Sequence, residues 1–204
     1  MRGGLVAMAM LAGCGFSIGI GDNTPADAPP DTAIDAAIDV AIDSSSCPPF
    51  YRVIGTGIYA VLDPTNFKNH VTACASHGTH LAIIDSEQEL DDLVVFGRTV
   101  MGVNNNSRFY IGLVQAPLQA EPEDSWVDLA DRDDNPELWA QSGANEPNDG
   151  ADQNEGNHQE QVAALQLDRD GLIDLAHTEN VRAYCECDGI SVGPMAKMYV
   201  DALP

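Results

Sequence analysis

The chain is short of positive charge. Of its 204 residues only 9 are Lys or Arg, against 32 Asp or Glu, for a formal net charge of -23. A protein that neutralises phosphates needs a basic surface, so nucleic acid is excluded as a partner, and charge-driven docking on anionic lipid is disfavoured with it. No run reaches the ~18 apolar residues that a membrane-spanning helix requires. Aromatic residues make up only 6% of the chain, and cysteines number five. No Cys-x2-Cys and no pair of histidines four apart occurs, and His70, His77, His80, His158 and His177 show no spacing link to the cysteines. A zinc site is not expected from such spacings. The excess of acid points instead to cation binding, with calcium the first candidate.

The N-terminal part carries its own signals. One basic residue, Arg2, precedes an apolar run from Leu5 to Leu11, and small residues follow ahead of Cys14. This order reads as an export signal peptide covering residues 1–13. Leu11-Ala12-Gly13-Cys14 resembles the lipobox of bacterial lipoproteins, which implies cleavage before Cys14 and lipidation of that cysteine. The expected location is the bacterial cell envelope, outer membrane or cell surface, with the membrane engaged through a lipid anchor only. Residues 14–46 then read as an acidic tether of Asp, Ala, Pro and Ser, with aspartates at 27, 31, 35, 39 and 43. Stacked on one helix face these like charges would repel, and Pro25, Pro29 and Pro30 break the start, so an extended segment is expected.

With Cys14 lipidated, Cys47, Cys74, Cys185 and Cys187 remain, an even number in an exported chain. Two disulfides tying the beginning of the folded region to its end are the simplest outcome. Between them, Tyr51 to Leu62 reads as a strand or hairpin broken by Gly55 and Gly57. Phe67, His70, Val71, Cys74 and Ala75 fall at offsets 0, 3, 4, 7 and 8, one face of a helix ending near Gly78 after the capping stretch Asp63-Pro64-Thr65. Ser86 with Glu89 forms a capping box before Leu90, Leu93 and Val94, which predicts a second helix. Phe109–Val114, Val162–Leu167 and Val181–Cys187 read as strands, and Asn135 to Glu160 is a long polar stretch. Strand, two helices, irregular region and closing strands make an α+β domain.

Several of these segments resemble the C-type lectin-like domains, over about 140 positions in residues 47–188. Gly78-Thr79-His80-Leu81-Ala82-Ile83 after a helix cysteine, Tyr110-Ile111-Gly112-Leu113, Trp126-Val127-Asp128, Trp139 and the closing Cys185-Glu186 appear in the family's order. Between Trp139 and that close lies Glu146-Pro147-Asn148. In the family this motif presents two calcium ligands across a cis proline, and its Glu/Asn pair goes with mannose-type sugars. The resemblance implies the fold with its two helices, small antiparallel sheets and long calcium and sugar loop. It also implies a Cys74–Cys185 disulfide, which leaves Cys47 for Cys187, and it leaves residues 189–204 as a C-terminal tail.

Calcium takes 6–8 oxygen ligands, and Glu146, Asn148, Asp149, Asp152, Asn154, Glu155, Asn157 and Glu160 supply them densely. The family's Trp-Asn-Asp falls on Leu172, Ile173 and Asp174, so one amide ligand is replaced by isoleucine, and its inner cysteine pair falls on Val162 and His177. The implied calcium and sugar-binding residues are Glu146, Asn148, Glu160 and Asp174, with Glu155 competing for the place of Glu160. A carbohydrate or glycoconjugate is the implied partner. The alternative is a calcium-independent protein-interaction module of the same fold. Trp126 and Trp139 are expected in the core, and His158 and His177 at the surface. Between Cys47 and Asp188 no Gly-x-Ser-x-Gly, His-Glu-x-x-His or catalytic Cys/His pattern occurs, and no enzymatic activity is expected.

Overall fold

The computed structural model describes residues 46–104, 106–117, 125–140, 146–148, 160–169 and 171–204. All of them belong to one compact unit, Ala41–Pro204. The export signal, Cys14, nearly all of the tether and loop residues 149–159, with Glu155 and His158, lie outside the described residues.

The first strands, β1 (Arg52–Ile54) and β2 (Gly57–Thr65), form a hairpin whose turn uses Gly55 at a positive φ of 58°. Helix α1 (Phe67–Ser76) is capped by Asn66, whose side chain accepts from the Asn69 N–H. The cap sits just beyond Asp63-Pro64-Thr65 because β2 runs through those residues. Phe67, His70 and Cys74 are the buried face of α1. Strand β3 (His80–Leu81) leads to α2 (Glu87–Thr99), where the Ser86 hydroxyl accepts from the Glu89 N–H and Glu89 accepts from Asp85 N–H. Leu90, Leu93, Val94 and Gly97 are its buried stripe.

Strands β4 (Arg108–Gln115), β5 (Trp126–Asp128), β6 (Val162–Gln166), β7 (Leu172–Leu175) and β8 (Val181–Glu186) complete the sheet. Its order is β1-β2-β8-β4-β6-β7, with β3 added on β8 and β5 on β4. Every pairing is antiparallel except β4 with β8, which is parallel. Strand β4 is apolar on both faces because both are covered. Phe109, Ile111 and Leu113 join Leu90, Leu93 and Val94 of α2 in one core, and Tyr110 and Val114 join Phe67 and Cys74 of α1 in the other. This alternation follows from the two-residue repeat of a strand.

Residues 189–204 contribute a third helix, α3 (Pro194–Ala202), which buries Ala196 and Val200, and Leu203 beyond it, in the α1-side core. Its first turn is capped from far away in the chain: the Asp131 carboxylate accepts from the N–H groups of Met195 (3.0 Å) and Ala196 (2.6 Å). His177, expected at the surface, is instead buried beneath the chain end, with its Nε2 3.1 Å from the Pro204 carbonyl oxygen. Cys74 is joined to Cys185 and Cys47 to Cys187.

Candidate functional site

The site is built on a stem of apolar contacts. Trp126 and Trp139 are both buried and pack edge to face with centroids 4.8 Å apart, and the Trp139 indole N–H donates to Asp134 at 2.7 Å. Ala140 N–H donates to the Leu172 carbonyl (2.9 Å), and Glu146 N–H returns to the Ala140 carbonyl (3.1 Å). Gly171 is what allows this approach. A Cβ there would stand 2.4 Å from Ala140 N and 2.7 Å from Leu138 O, inside any permissible contact with backbone.

The β6–β7 hairpin brings the other half. Its strands pair from Val162 opposite Leu175 to Leu165 opposite Leu172, which places Asp174 on β7, Arg169 in the turn and Glu160 just ahead of β6. The Glu146–Pro147 peptide is cis, and the flanking side chains meet: Asn148 Nδ2 donates to Glu146 Oε2 at 2.6 Å. The Asn148 N–H donates to Asp174 Oδ2 at 3.0 Å. Arg169 Nη1 lies 3.8 Å from Glu146 Oε1. Burial pushes the Glu146 carboxyl up to about 8, helped by its hydrogen bond to Asp174 and by the charges of Asp174 and Glu160, while Arg169 pulls the other way. Glu146, Asn148 and Asp174 are therefore in direct contact, with Glu160 close enough to act on Glu146 by charge. Ile173 points away from them, buried beside Ala164 and Leu175 in the α1-side core.

Among the described residues this cluster offers carboxylate and amide oxygens and no imidazole or sulfur donor. That chemistry suits a hard cation. A guanidinium already occupies part of the role, and Arg169 is a residue that motif reading passes over, since it lies in a hairpin turn with no local pattern.

A second buried cluster is equally hidden from the sequence. The register of β3 against β8 sets His80 opposite Glu186. His80 Nε2 is 2.7 Å from Asp188 Oδ1, and its Nδ1 is 2.8 Å from the Leu81 carbonyl oxygen. Glu186 Oε2 accepts from Ile83 N–H at 3.0 Å, and the Tyr59 hydroxyl donates to Glu89 Oε1 at 2.5 Å. Burial pushes the Glu186 carboxyl up to about 7, with the charges of Glu89 and Asp188 adding to it against the Ile83 N–H and His80. Burial alone would depress the His80 imidazole, but Asp188, the Leu81 carbonyl and Glu186 outweigh it and hold the ring above its ordinary value.

Gly-x-Ser-x-Gly does occur outside the span from Cys47 to Asp188, at Gly15–Gly19 and Gly189–Gly193. Ser191 follows Asp188 closely and is exposed, but both His80 nitrogens are engaged by Asp188 and Leu81. His80 thus has no nitrogen left to activate a serine.

No family model matches the chain, and no curated protein matches it. Solved structures do. The mouse scavenger receptor C-type lectin carbohydrate-recognition domain superimposes with a TM-score of 0.53 at 20% identity, covering 70% of this chain and 98% of that one. The C-type lectin CEL-I from Cucumaria echinata gives 0.54 at 17% identity, covering 69% and 96%. The Ca2+-free form of a Ca2+-dependent type II antifreeze protein gives 0.50 at 11%, covering 70% and 100%. At these identities the likeness is one of fold. The domain has the C-type lectin fold, an α+β architecture.

Proposed function

We propose that the domain is a calcium-dependent carbohydrate-binding module of mannose-type preference, carried on a lipid-anchored protein of the bacterial cell envelope. The observation that carries the reading is the convergence of Glu146, Asn148 and Asp174 in one half-buried, all-oxygen cluster beside Glu160. A carboxyl pushed up to about 8 by burial and like charge is a site short of positive charge, which a divalent cation relieves. Bound calcium would accept two vicinal sugar hydroxyls as ligands. Glu146 and Asp174 would then hold the cation and accept from those hydroxyls, and the Asn148 amide would donate to a sugar oxygen. A carbohydrate-recognition domain among the fold neighbours supports the same reading. The anchor rests on Leu11-Ala12-Gly13-Cys14 and on the acidic segment that follows.

The test is thermal unfolding with about 2 mM calcium and then excess chelator. A site of dissociation constant about 0.1–1 mM adds roughly 0.6–1.8 kcal/mol, which raises the midpoint by about 1–7 °C. The rise reverses with chelator, is lost in Glu146→Ala, and is accompanied by mannose binding. The absence of any rise favours the second reading, a calcium-independent protein-interaction module. Ile173, which adds no oxygen, and Arg169, which partly fills the charge deficit, are the observations on its side.

A further inference from the structure

We infer that His80, Glu186 and Asp188 form a binding site for a divalent transition metal, with zinc the natural occupant. The candidate donor atoms, one from each residue, all lie within 4.8 Å of one another. The three residues come from β3 and from the end of β8, more than 100 positions apart in sequence, so local spacing does not reveal them and zinc is not expected from the sequence.

Three features set this apart from an ordinary buried ion pair. The first is the tautomer. A carbonyl oxygen can only accept, so the Leu81 carbonyl at 2.8 Å requires the proton on Nδ1. The Nε2 lone pair then faces Asp188 Oδ1 at 2.7 Å, two acceptors that need a proton or a cation between them. A ring nitrogen fixed on a backbone carbonyl, with its partner aimed at carboxylates, is the outer-sphere arrangement of metal-binding histidines.

The second feature is that the carboxylates are oriented in the same way. Glu186 Oε2 is held by the Ile83 N–H, and Asp188 Oδ1 by the Ile190 N–H at 2.8 Å. The third is charge. One imidazole stands against the carboxylates of Glu186 and Asp188, an excess of acid in a largely buried group. Ligands sharing one zinc at ~2.1 Å lie about 3–3.5 Å apart, so side-chain movements of about 1–1.5 Å close the set. An imidazole with two carboxylates selects zinc, cobalt or nickel over calcium, which prefers oxygen alone. The Asp188 side chain is 13% exposed and His80 only 2%, so an ion enters past Asp188.

The experiment titrates the metal-stripped full chain with Zn2+ by calorimetry, in millimolar calcium so that the Glu146 cluster does not compete. One zinc per chain is expected. Its affinity falls at least ten-fold in His80→Gln and in Asp188→Asn, and is unchanged in Glu146→Ala. Cobalt gives visible bands of a nitrogen- and oxygen-ligated ion that zinc abolishes. In the wild-type chain, which needs no variant to fold, the nitrogen resonance of His80 Nε2 moves to a metal-bound position on zinc addition. No zinc uptake, uptake undiminished in both variants, or an unmoved His80 resonance overturns the inference and leaves an imidazolium–Asp188 ion pair. Calcium loss in Glu146→Ala with zinc retained, or the reverse, separates this site from the proposed lectin site.

Discussion

The two buried acidic clusters use similar side chains and are held in opposite ways. Around Glu146 the partners are near in sequence or joined by a hairpin: Asn148 is two residues on, and Asp174 and Arg169 lie on or beside β7. Among the described residues no covalent bond braces this end, since Val162 and His177 stand where a second staple would be expected. Around Glu186, Asp188 is likewise two residues on, but His80 and Ile83 lie more than 100 positions away, and the strand that carries Glu186 is pinned by both disulfides, Cys74–Cys185 and Cys47–Cys187. One cluster is assembled by local chain geometry, whereas the other is preassembled by topology.

The sharpest way to break the contrast is to unpin the braced end. The double change Cys74→Ser with Cys185→Ser opens a loop spanning 111 residues and is expected to cost about 4 kcal/mol in urea denaturation. It should also weaken zinc uptake while calcium binding by the surviving folded fraction persists. The next effect lies at the unbraced end. Ile173→Asn restores the amide of the family pattern, yet Ile173 is packed in the core, so the change is expected to cost about 3 kcal/mol and to leave the calcium response no larger. A larger calcium response would mean that the strand can turn the introduced amide outward.

A pH experiment then separates the packed histidine of α1 from the clusters. Burial holds His70 below its ordinary value, and its Nε2–H donates to the Val181 carbonyl at 2.8 Å. The unfolded chain protonates this imidazole first as pH falls below about 6.5, so the His70 contribution to stability declines on acidification, by at most about 1.4 kcal/mol per pH unit. Against it stand the opposite contributions of Glu146 and Glu186, whose raised carboxyls favour the folded chain as pH falls. His70→Gln, which keeps a donor for Val181, should flatten that part of the profile. The smallest effect is at Arg169. The pair with Glu146 is long and its arginine is 31% exposed, so Arg169→Gln should tighten calcium by about two- to five-fold in a midpoint titration, with under about 1 kcal/mol change in stability.

Local rules account for what was legible. Helices α1 and α2 were readable because their apolar periods lie in short segments: Phe67, His70 and Cys74 recur at helical spacing, although the cap is Asn66 and not Asp63-Pro64-Thr65, and Leu90, Leu93 and Val94 follow the Ser86 cap. The central strand β4 showed as an apolar run, and Glu146-Pro147-Asn148 as a motif, since three adjacent residues carry it. Helix α3 did not show, because its cap, Asp131, lies 64 residues before Met195. His80 with Asp188 depends on a strand register between β3 and β8. Arg169 reaches Glu146 only once the hairpin turn is in place.

The Cys47–Cys187 bond has a mechanical meaning as well. Tension drawn through the chain ahead of Cys47 enters the domain and crosses at once to Cys187, beside the central strand β8. It does not peel β1 from the edge of the sheet residue by residue.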